Sequence, residues 1–546
     1  MSPSEKKTSK IFLLILLAFA GNAFLYAQED DDVLTVSGAV IDVNRQPVIG
    51  AAVFVEGTSM GVTTDLDGKF MMDVPSASNV TIQLIGYKAL RFPAAYLTGR
   101  TIVLEEDTNL LDDVVVVGYG VRRKENLTGA VASIGGDEKL HTATVTSLAQ
   151  NLSGKVAGLQ IRQENGEPGD FSTSINIRGF GNPLYVIDGI PQMDGTNIFQ
   201  KISPNDIENI SVIKDALGAV YGRRGGNGVV IVTTKKGSRS EKTKFTLDLS
   251  CGFQMPTDMP EMANRSQWAQ MYNEAKMYSG VTVFTPEQLA YEMSAPSTDW
   301  YGLTMRDYSM QQQYHFSAEG SSKSVNYYIG AGYVKDDGIL KTNDLNYEQF
   351  SVRANISAEI VRNLRLDCLI YGTYDTKKSP AMGYHNIFYG TRTALPNSEP
   401  YANGNKEYPA RQEYLNPVAI SDSDISGYSD TNNKLLNTNL SLSYDFPFLK
   451  GLSARINVDY TYQGSMNKTL SREYDLFTYD SDTDTYNAIS NNSPSRISNS
   501  WSNVDNLTLQ GQIAYSHKFK DVHAVNATFV YEQSSYHSRT AALARE

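Results

Sequence analysis

The sequence predicts a mainly β chain in three parts. These are a small N-terminal β-sandwich, a compact α/β domain, and the first strands, about nine, of a large transmembrane antiparallel β-barrel. Three observations carry this. From residue 243 onward, segments of about ten residues alternate apolar and polar side chains, the length and period of a strand crossing a bilayer at a tilt. Residues 1–27 read as a secretory leader. Between Ile161 and Gly237, short apolar strands are separated by Gly-rich turns.

Composition narrows the function classes. The chain has 546 residues, enough for several domains, and a formal net charge of −12. That acidity argues against nucleic acid as a partner, which would call for a basic patch. The two cysteines, Cys251 and Cys368, cannot build a disulfide framework and have no metal-type spacing. The six histidines are scattered with no His-x-x-His pair, so neither a metal site nor a cofactor is expected.

In the leader, Lys6, Lys7 and Lys10 precede an apolar run from Ile11 to Ala20, and Ala27 stands before Gln28 at a plausible cleavage point. The competing reading is an anchor helix, for which the apolar core is short. Residues 28–106 alternate in short strands (Val36, Gly38, Val40; Ala51 to Val55; Val80 to Leu84; Thr101 to Leu104), the spacing of a small sandwich. Asp65-x-Asp67-Gly68 invites comparison with a calcium loop, but no bidentate Glu follows, and a plain Asp-Gly turn is the better reading. Residues 107–120 form a linker holding Asp113, Val114, Val115, Val116 and Val117 before Gly118-Tyr119-Gly120. Four valines in a row are strongly β-prone and could add as a strand to the sheet edge of a partner. The alternative is a permanently buried first strand of the next domain.

Residues 121–237 carry the densest motifs. Ile175-Asn176-Ile177-Arg178-Gly179-Phe180-Gly181 is followed by Tyr185-Val186-Ile187-Asp188-Gly189-Ile190-Pro191. Ile207 to Asp215 comes next, then Tyr221-Gly222-Arg223-Arg224-Gly225-Gly226-Asn227-Gly228 running into Val229-Val230-Ile231-Val232. The glycine run lacks the Gly-Lys-Ser/Thr ending of a P-loop and leads into a strand, which excludes a phosphate cradle. Ser147 to Leu159 reads as a short helix ending at glycines. These motifs resemble the plug of TonB-dependent outer-membrane transporters, and within them the SusC/RagA family. The preceding 28–106 unit is similar to the carboxypeptidase-regulatory-like domain of that family, a name that implies no peptidase. In the family, Asp113 to Val117 occupies the position of the TonB box. The resemblance implies plug-structural roles for Arg178, Gly179, Asp188, Gly189, Tyr221, Gly222, Arg223 and Gly228. Arg178, Arg223 and Arg224 either face substrate or pair with acidic barrel residues, the second being favoured.

Residues 238–546 supply the barrel. Phe245, Leu247, Leu249, Cys251 and Phe253 share one face against Thr246, Asp248, Ser250 and Gln254. Similar rows begin at Val325, Phe350, Leu364, Leu440, Leu452, Leu507 and Val525, with a less regular strand at Tyr314 to Gly320. Such strands must close into a barrel, because an open edge in lipid leaves backbone groups unpaired. Short turns at 321–323, 361–363 and 520–521 alternate with long polar loops at 255–312, 376–434 and 465–504. Short turns belong in the periplasm and long loops outside. Residues 539–546 then fall in an outer loop. An odd strand count cannot bring both barrel ends to the periplasm, and plugged transporters have about 22 strands. The expectation is therefore the N-terminal part of a longer protein.

The resemblance implies TonB-driven import of a nutrient across the outer membrane of a Gram-negative, Bacteroidetes-like cell, with sandwich and plug facing the periplasm. A glycan is the favoured cargo and a peptide the alternative. TonB, a SusD-like surface lipoprotein and outer-membrane lipid are the implied partners, and no catalytic residue is expected. A soluble periplasmic binding module or a non-transporting fragment is the competing reading.

Overall fold

The computed structural model describes residues 33–546 apart from 43–44, 56–57, 59, 77, 85–86, 88, 106–113, 118–119, 124–130, 136–146, 194, 238–241, 282 and 520–522. The leader, Asp113 and the turn at 520–521 lie outside the described residues. Two units are distinguished, dividing near residue 114 and again at 123–125.

The first unit is a sandwich. Val33–Asp42 is flanked by Lys69–Pro75 and Arg100–Leu104 in one sheet. Gly61–Thr63, Ala52–Val55, Asn79–Gln83 and Leu90–Pro93 form the other. Alternate side chains such as Val36, Val40, Val53, Phe70, Val80 and Ile82 point into one shared core. The Asp65 carboxylate accepts from the backbone N–H groups of Asp67 (3.0 Å) and Lys69 (2.8 Å), so it closes a turn. Gly68 there has φ +73°, and a Cβ would stand 2.5 Å from the Val40 carbonyl.

In the second unit a mixed five-stranded sheet runs in the order Val131–Gly135, Ile207–Ile213, Val229–Thr234, Leu184–Ile187, Ile190–Pro191. Leu184–Ile187 and Val229–Thr234 pair in parallel. These strands are apolar on both faces, as a sheet packed on two sides requires: Val186, Val229 and Ile231 fill one cluster, Ile210, Val230 and Val232 the other. Of the helix expected over Ser147 to Leu159 only Leu148–Leu152 forms, capped by Ser147, whose hydroxyl accepts from Ala149 N–H. Gly154 and Gly158 then turn the chain at positive φ, and Leu159 opens a strand. The glycine run leads into the strand Val229–Thr234, as its lack of a P-loop ending implies.

Around this domain stand nine strands in sequential antiparallel order: β1 (Lys244–Gln254), β2 (Ser309–Ser321), β3 (Val325–Asp337), β4 (Asn346–Val361), β5 (Leu364–Pro380), β6 (Gly427–Asp445), β7 (Leu452–Ser471), β8 (Arg496–Phe519) and β9 (His523–Arg545). Among the described residues β1 and β9 do not pair, so the wall is open between them. Its polarity is that of a lipid-facing barrel. Leu249 is 66% and Phe350 53% exposed, while Arg353, Asn355 and Asp375 on the inner face are 3%, 0% and 1% exposed. Cys251 and Cys368 are free thiols in the outward rows.

Two sequence expectations need correction. Residues 539–545 are not an outer loop; they continue β9, paired with Ile497–Asn503 of β8. The outer connections are also shorter and more ordered than polar loops at 376–434 and 465–504 would be. β6 begins at Gly427, β7 runs to Ser471 and β8 begins at Arg496. The physical reason is that strand pairing outlasts the amphipathic pattern. Above the bilayer both faces are wet, so the alternation fades while the backbone ladder persists.

Candidate functional site

The plug is seated in the wall through a few buried polar contacts, and these form the candidate site. The segment from Lys201 to Asp206, between the helix Gly195–Lys201 and the strand Ile207–Ile213, faces four successive strands. Pro204–Asp206 forms a single 3-10 turn that presents the Asp206 carboxylate to the wall. Asp206 Oδ1 lies 3.0 Å from His315 Nε2 on β2 and accepts from the Tyr328 hydroxyl on β3 at 2.9 Å. Its Oδ2 accepts from Arg353 Nε on β4 at 3.2 Å. The Arg353 guanidinium lies over the Tyr371 ring of β5, 4.3 Å from its centre. Burial works to raise the Asp206 pKa. The His315 hydrogen bond and the Arg353 and His315 charges outweigh it, and the carboxyl is held below its ordinary value.

A second anchor sits one turn away. Lys201 Nζ donates to Asp375 Oδ2 on β5 at 2.7 Å, and both side chains are buried. Asp375 Oδ1 accepts from Asn433 Nδ2 on β6, so both carboxylate oxygens are engaged. The Lys201 carbonyl accepts from the Tyr371 hydroxyl (2.6 Å) and Gln349 Nε2 (3.2 Å). Removing one partner of such a buried pair leaves an uncompensated charge, at a cost of about 3–5 kcal/mol.

The residues singled out from sequence fall into three groups. Asp188 and Gly189 are the two central residues of the hairpin joining Leu184–Ile187 to Ile190–Pro191, with φ +50° and +89°. A two-residue hairpin loop of type I′ needs positive φ at both positions, which Asp-Gly supplies. Asp188 also accepts from Thr234 N–H (2.9 Å) and Thr234 Oγ1 (2.8 Å). Asn355 of β4 donates to Thr234 Oγ1 and to the Lys235 carbonyl. Asp188 thus reaches the wall through one intermediate.

Tyr221 and Gly228 are packing positions. Tyr221 is buried in the cluster with Val186 and Val229. Gly228 has φ +92°, and a Cβ would stand 2.7 Å from Ile177 Cδ1 and 2.9 Å from the Ile213 carbonyl. Gly222 takes φ +65° at a kink in the 3-10 segment Ala216–Gly225.

The arginines separate. Arg224 forms an ion pair with Glu532 of β9. Arg178 and Arg223 are exposed and make no ion pair to the wall among the described residues; Arg178 and Gly179 form a turn with φ +53° and +83°. Burial, then the neighbouring Arg178 charge, holds Lys214 below its ordinary pKa.

Val114–Val117 is a strand pairing with Gly120–Arg123 in a two-stranded sheet. Asp113 lies outside the described residues. Higher in the wall, a cavity of about 280 Å³ lies between plug and wall, lined by Phe171, Asn197, Lys201, Asn433, Gln463 and Ser502 among others. Sequence reading did not identify Lys201, Asp206 or their wall partners. The available signal was charged residues, Arg353 and Asp375, on inner rows that also carry Gln349, Ser351, Asn355, Asp367, Tyr371 and Thr373.

Comparison with known proteins agrees with this architecture. The family described as "TonB-dependent Receptor Plug Domain" matches residues 123–229, and "CarboxypepD_reg-like domain" matches residues 36–116. TonB-dependent receptor SusC of Bacteroides thetaiotaomicron is 32% identical over 365 residues, 64% of this chain and 35% of that protein. TonB-dependent receptor P26 of Formosa agariphila is 31% identical over 398 residues, 70% of this chain and 39% of that protein. The chain therefore spans between a third and two-fifths of the length of these curated relatives. Among solved structures, the RagAB peptide importer in its "open-open" state superposes with a TM-score of 0.65 at 20% identity, over 79% of this chain and 50% of that one. Its "closed-closed" state gives 0.62 at 19%, over 77% and 49%. At these identities the likeness concerns the fold.

Proposed function

Because the chain belongs to the SusC/RagA family of TonB-dependent receptors and is an outer-membrane β-barrel protein with its plug toward the periplasm, we propose that it serves TonB-driven import of a nutrient across that membrane. The observation that carries the reading is a plug held in a wall that is apolar outside and polar inside, through discrete ion pairs and hydrogen bonds. Such a plug blocks the lumen at rest, and its apolar contact with the wall beside these anchors is small, with Tyr371 of β5 and Leu435 of β6 joining the core that holds Phe199 and Ile202.

TonB would take Val114–Val117 as an added strand, drawing force into the plug through Gly120–Arg123. A glycan is the favoured cargo on the family resemblance, captured with a SusD-like surface lipoprotein. Peptide import is the second reading, suggested by the fold likeness to the RagAB peptide importer. The lumen-side cavity beside Phe171 offers Asn197, Asn433, Gln463, Ser465 and Ser502 alongside Lys434 and apolar Ile198 and Leu435, a mixed lining compatible with a ligand of either kind.

The test is capture of the full chain by the periplasmic part of TonB. Binding is expected for the unaltered chain and should be lost when Val115→Pro and Val116→Pro are combined, since proline cannot donate to the added ladder. Equal capture of both forms would contradict the assignment of the box.

A further inference from the structure

The four connections at the outer ends of the strands (255–308, 338–345, 381–426 and 472–495) are bonded to one another more than to the wall. The first reaches the second through Arg306 N–H to the Ile339 carbonyl and Lys341 N–H to the Thr304 carbonyl, at 2.8 and 2.9 Å. It reaches the third through Thr298 N–H to the Pro396 carbonyl and Trp300 Nε1 to the Leu395 carbonyl. The second reaches the third through Thr342 Oγ1 to the Ser421 carbonyl and Ser423 N–H to Asp344 Oδ2. The fourth, a hairpin of Tyr474–Asp480 and Thr485–Asn491, is tied to the third by two backbone bonds, Phe477 N–H to the Pro409 carbonyl and Arg411 N–H to the Phe477 carbonyl. Tyr408 of the third connection stacks on Tyr486 of the fourth at 4.0 Å.

These connections also own a core. Leu340 and Leu345 of the second connection meet Ile387 and Ile420 of the third, all at most 1% exposed, with Tyr474 of the fourth packed against them. On the inner side, Met255, Ile339, Leu345 and Tyr384 face Glu167 and Pro168 of the plug across a cavity of about 230 Å³.

We propose that these four connections are one cooperatively folded cap, and that ligand meets it as a preformed surface rather than as four loops ordered on binding. A shared apolar core and cross-connection backbone bonds make partial opening costly, because freeing any one connection strips bonds from at least one other, and freeing the third strips them from all three. A surface ordered at folding removes the ordering cost from the binding step. Only the placement of the cap at an entrance rests on the uptake reading; its cooperativity does not.

The test is amide hydrogen exchange of the full chain, unaltered and as Ile420→Ala. Exchange at Thr298, Arg306, Lys341 and Phe477 is expected to be slow and to speed up together, by a common factor of roughly tenfold or more. The barrel amides of Val352 and Leu369 should stay unchanged. Acceleration confined to the neighbourhood of 415–421, or loop-like exchange in the unaltered chain, would overturn the cap. Should Ile420→Ala fail to fold, Thr342→Val removes one cross-connection bond and should give the same joint response at smaller size. Capture by the periplasmic part of TonB should not change in either variant, so failure of the cap and failure of the receptor reading are told apart.

Discussion

Withdrawing the charge of Asp206 leaves Arg353 buried beside a neutral amide. Asp206→Asn should therefore weaken plug seating by about 3–5 kcal/mol, the cost of an uncompensated buried ion. Protease sensitivity of the plug in isolated outer membranes, with the wall strands still protected, measures this. The same carboxylate predicts a pH dependence. Its pKa lies below the ordinary 3.8, so its contribution is complete above that value and is lost as pH falls through the depressed value. His315, Tyr328 and Arg353 face it, and Tyr371 stands behind Arg353. The unaltered plug should stay protected down to pH 3.8 and become protease-sensitive only as pH falls further, through the depressed value. The Asn variant should be sensitive throughout, with little further change. None of this network was readable from sequence, because its partners lie more than one hundred residues apart and meet only through the fold. An Asp after Ser-Pro-Asn reads locally as a turn residue, which it also is.

Elements were more legible where a local rule governs them. Asp188, Gly189 and Gly228 were singled out only through the family resemblance and Ser147 only as the start of a helix; the hairpin, the close approach and the cap are what the structure adds, each consistent with residue type and position. At Gly228 both φ and space exclude a side chain. Gly228→Ala should cost roughly 1–3 kcal/mol and lower the yield of folded plug, measurable as lost exchange protection at Val229–Thr234. The barrel strands were legible over the bilayer, where the apolar row contrasts with the inner polar row, as in Phe350 to Ala358. They were not legible above it. In Gly427–Lys434 and Arg496–Asn503 both rows are mostly polar, and only the register with β5, β7 and β9 shows that the strand continues. The helices in 255–308 escaped notice, although Asn264 and Thr285, each with Gln three residues later, are capping boxes.

At the scale of the whole molecule, a mean hydropathy near that of a soluble protein and a wall of exposed Leu, Phe and Val are reconciled only by a two-sided barrel strand. The inner face is polar because it meets a folded domain and water, and the outer face is apolar because it meets lipid. The plug, its seat and the cap all depend on that division. Spin labels placed singly at Gln349, Phe350, Ser351 and Val352 of β4 in outer-membrane vesicles test it most directly. Labels at Phe350 and Val352 should collide with dissolved oxygen and be shielded from an aqueous nickel chelate, while those at Gln349 and Ser351, packed toward the plug, should be shielded from both. Ready access of the nickel chelate to Phe350 and Val352 would contradict the account.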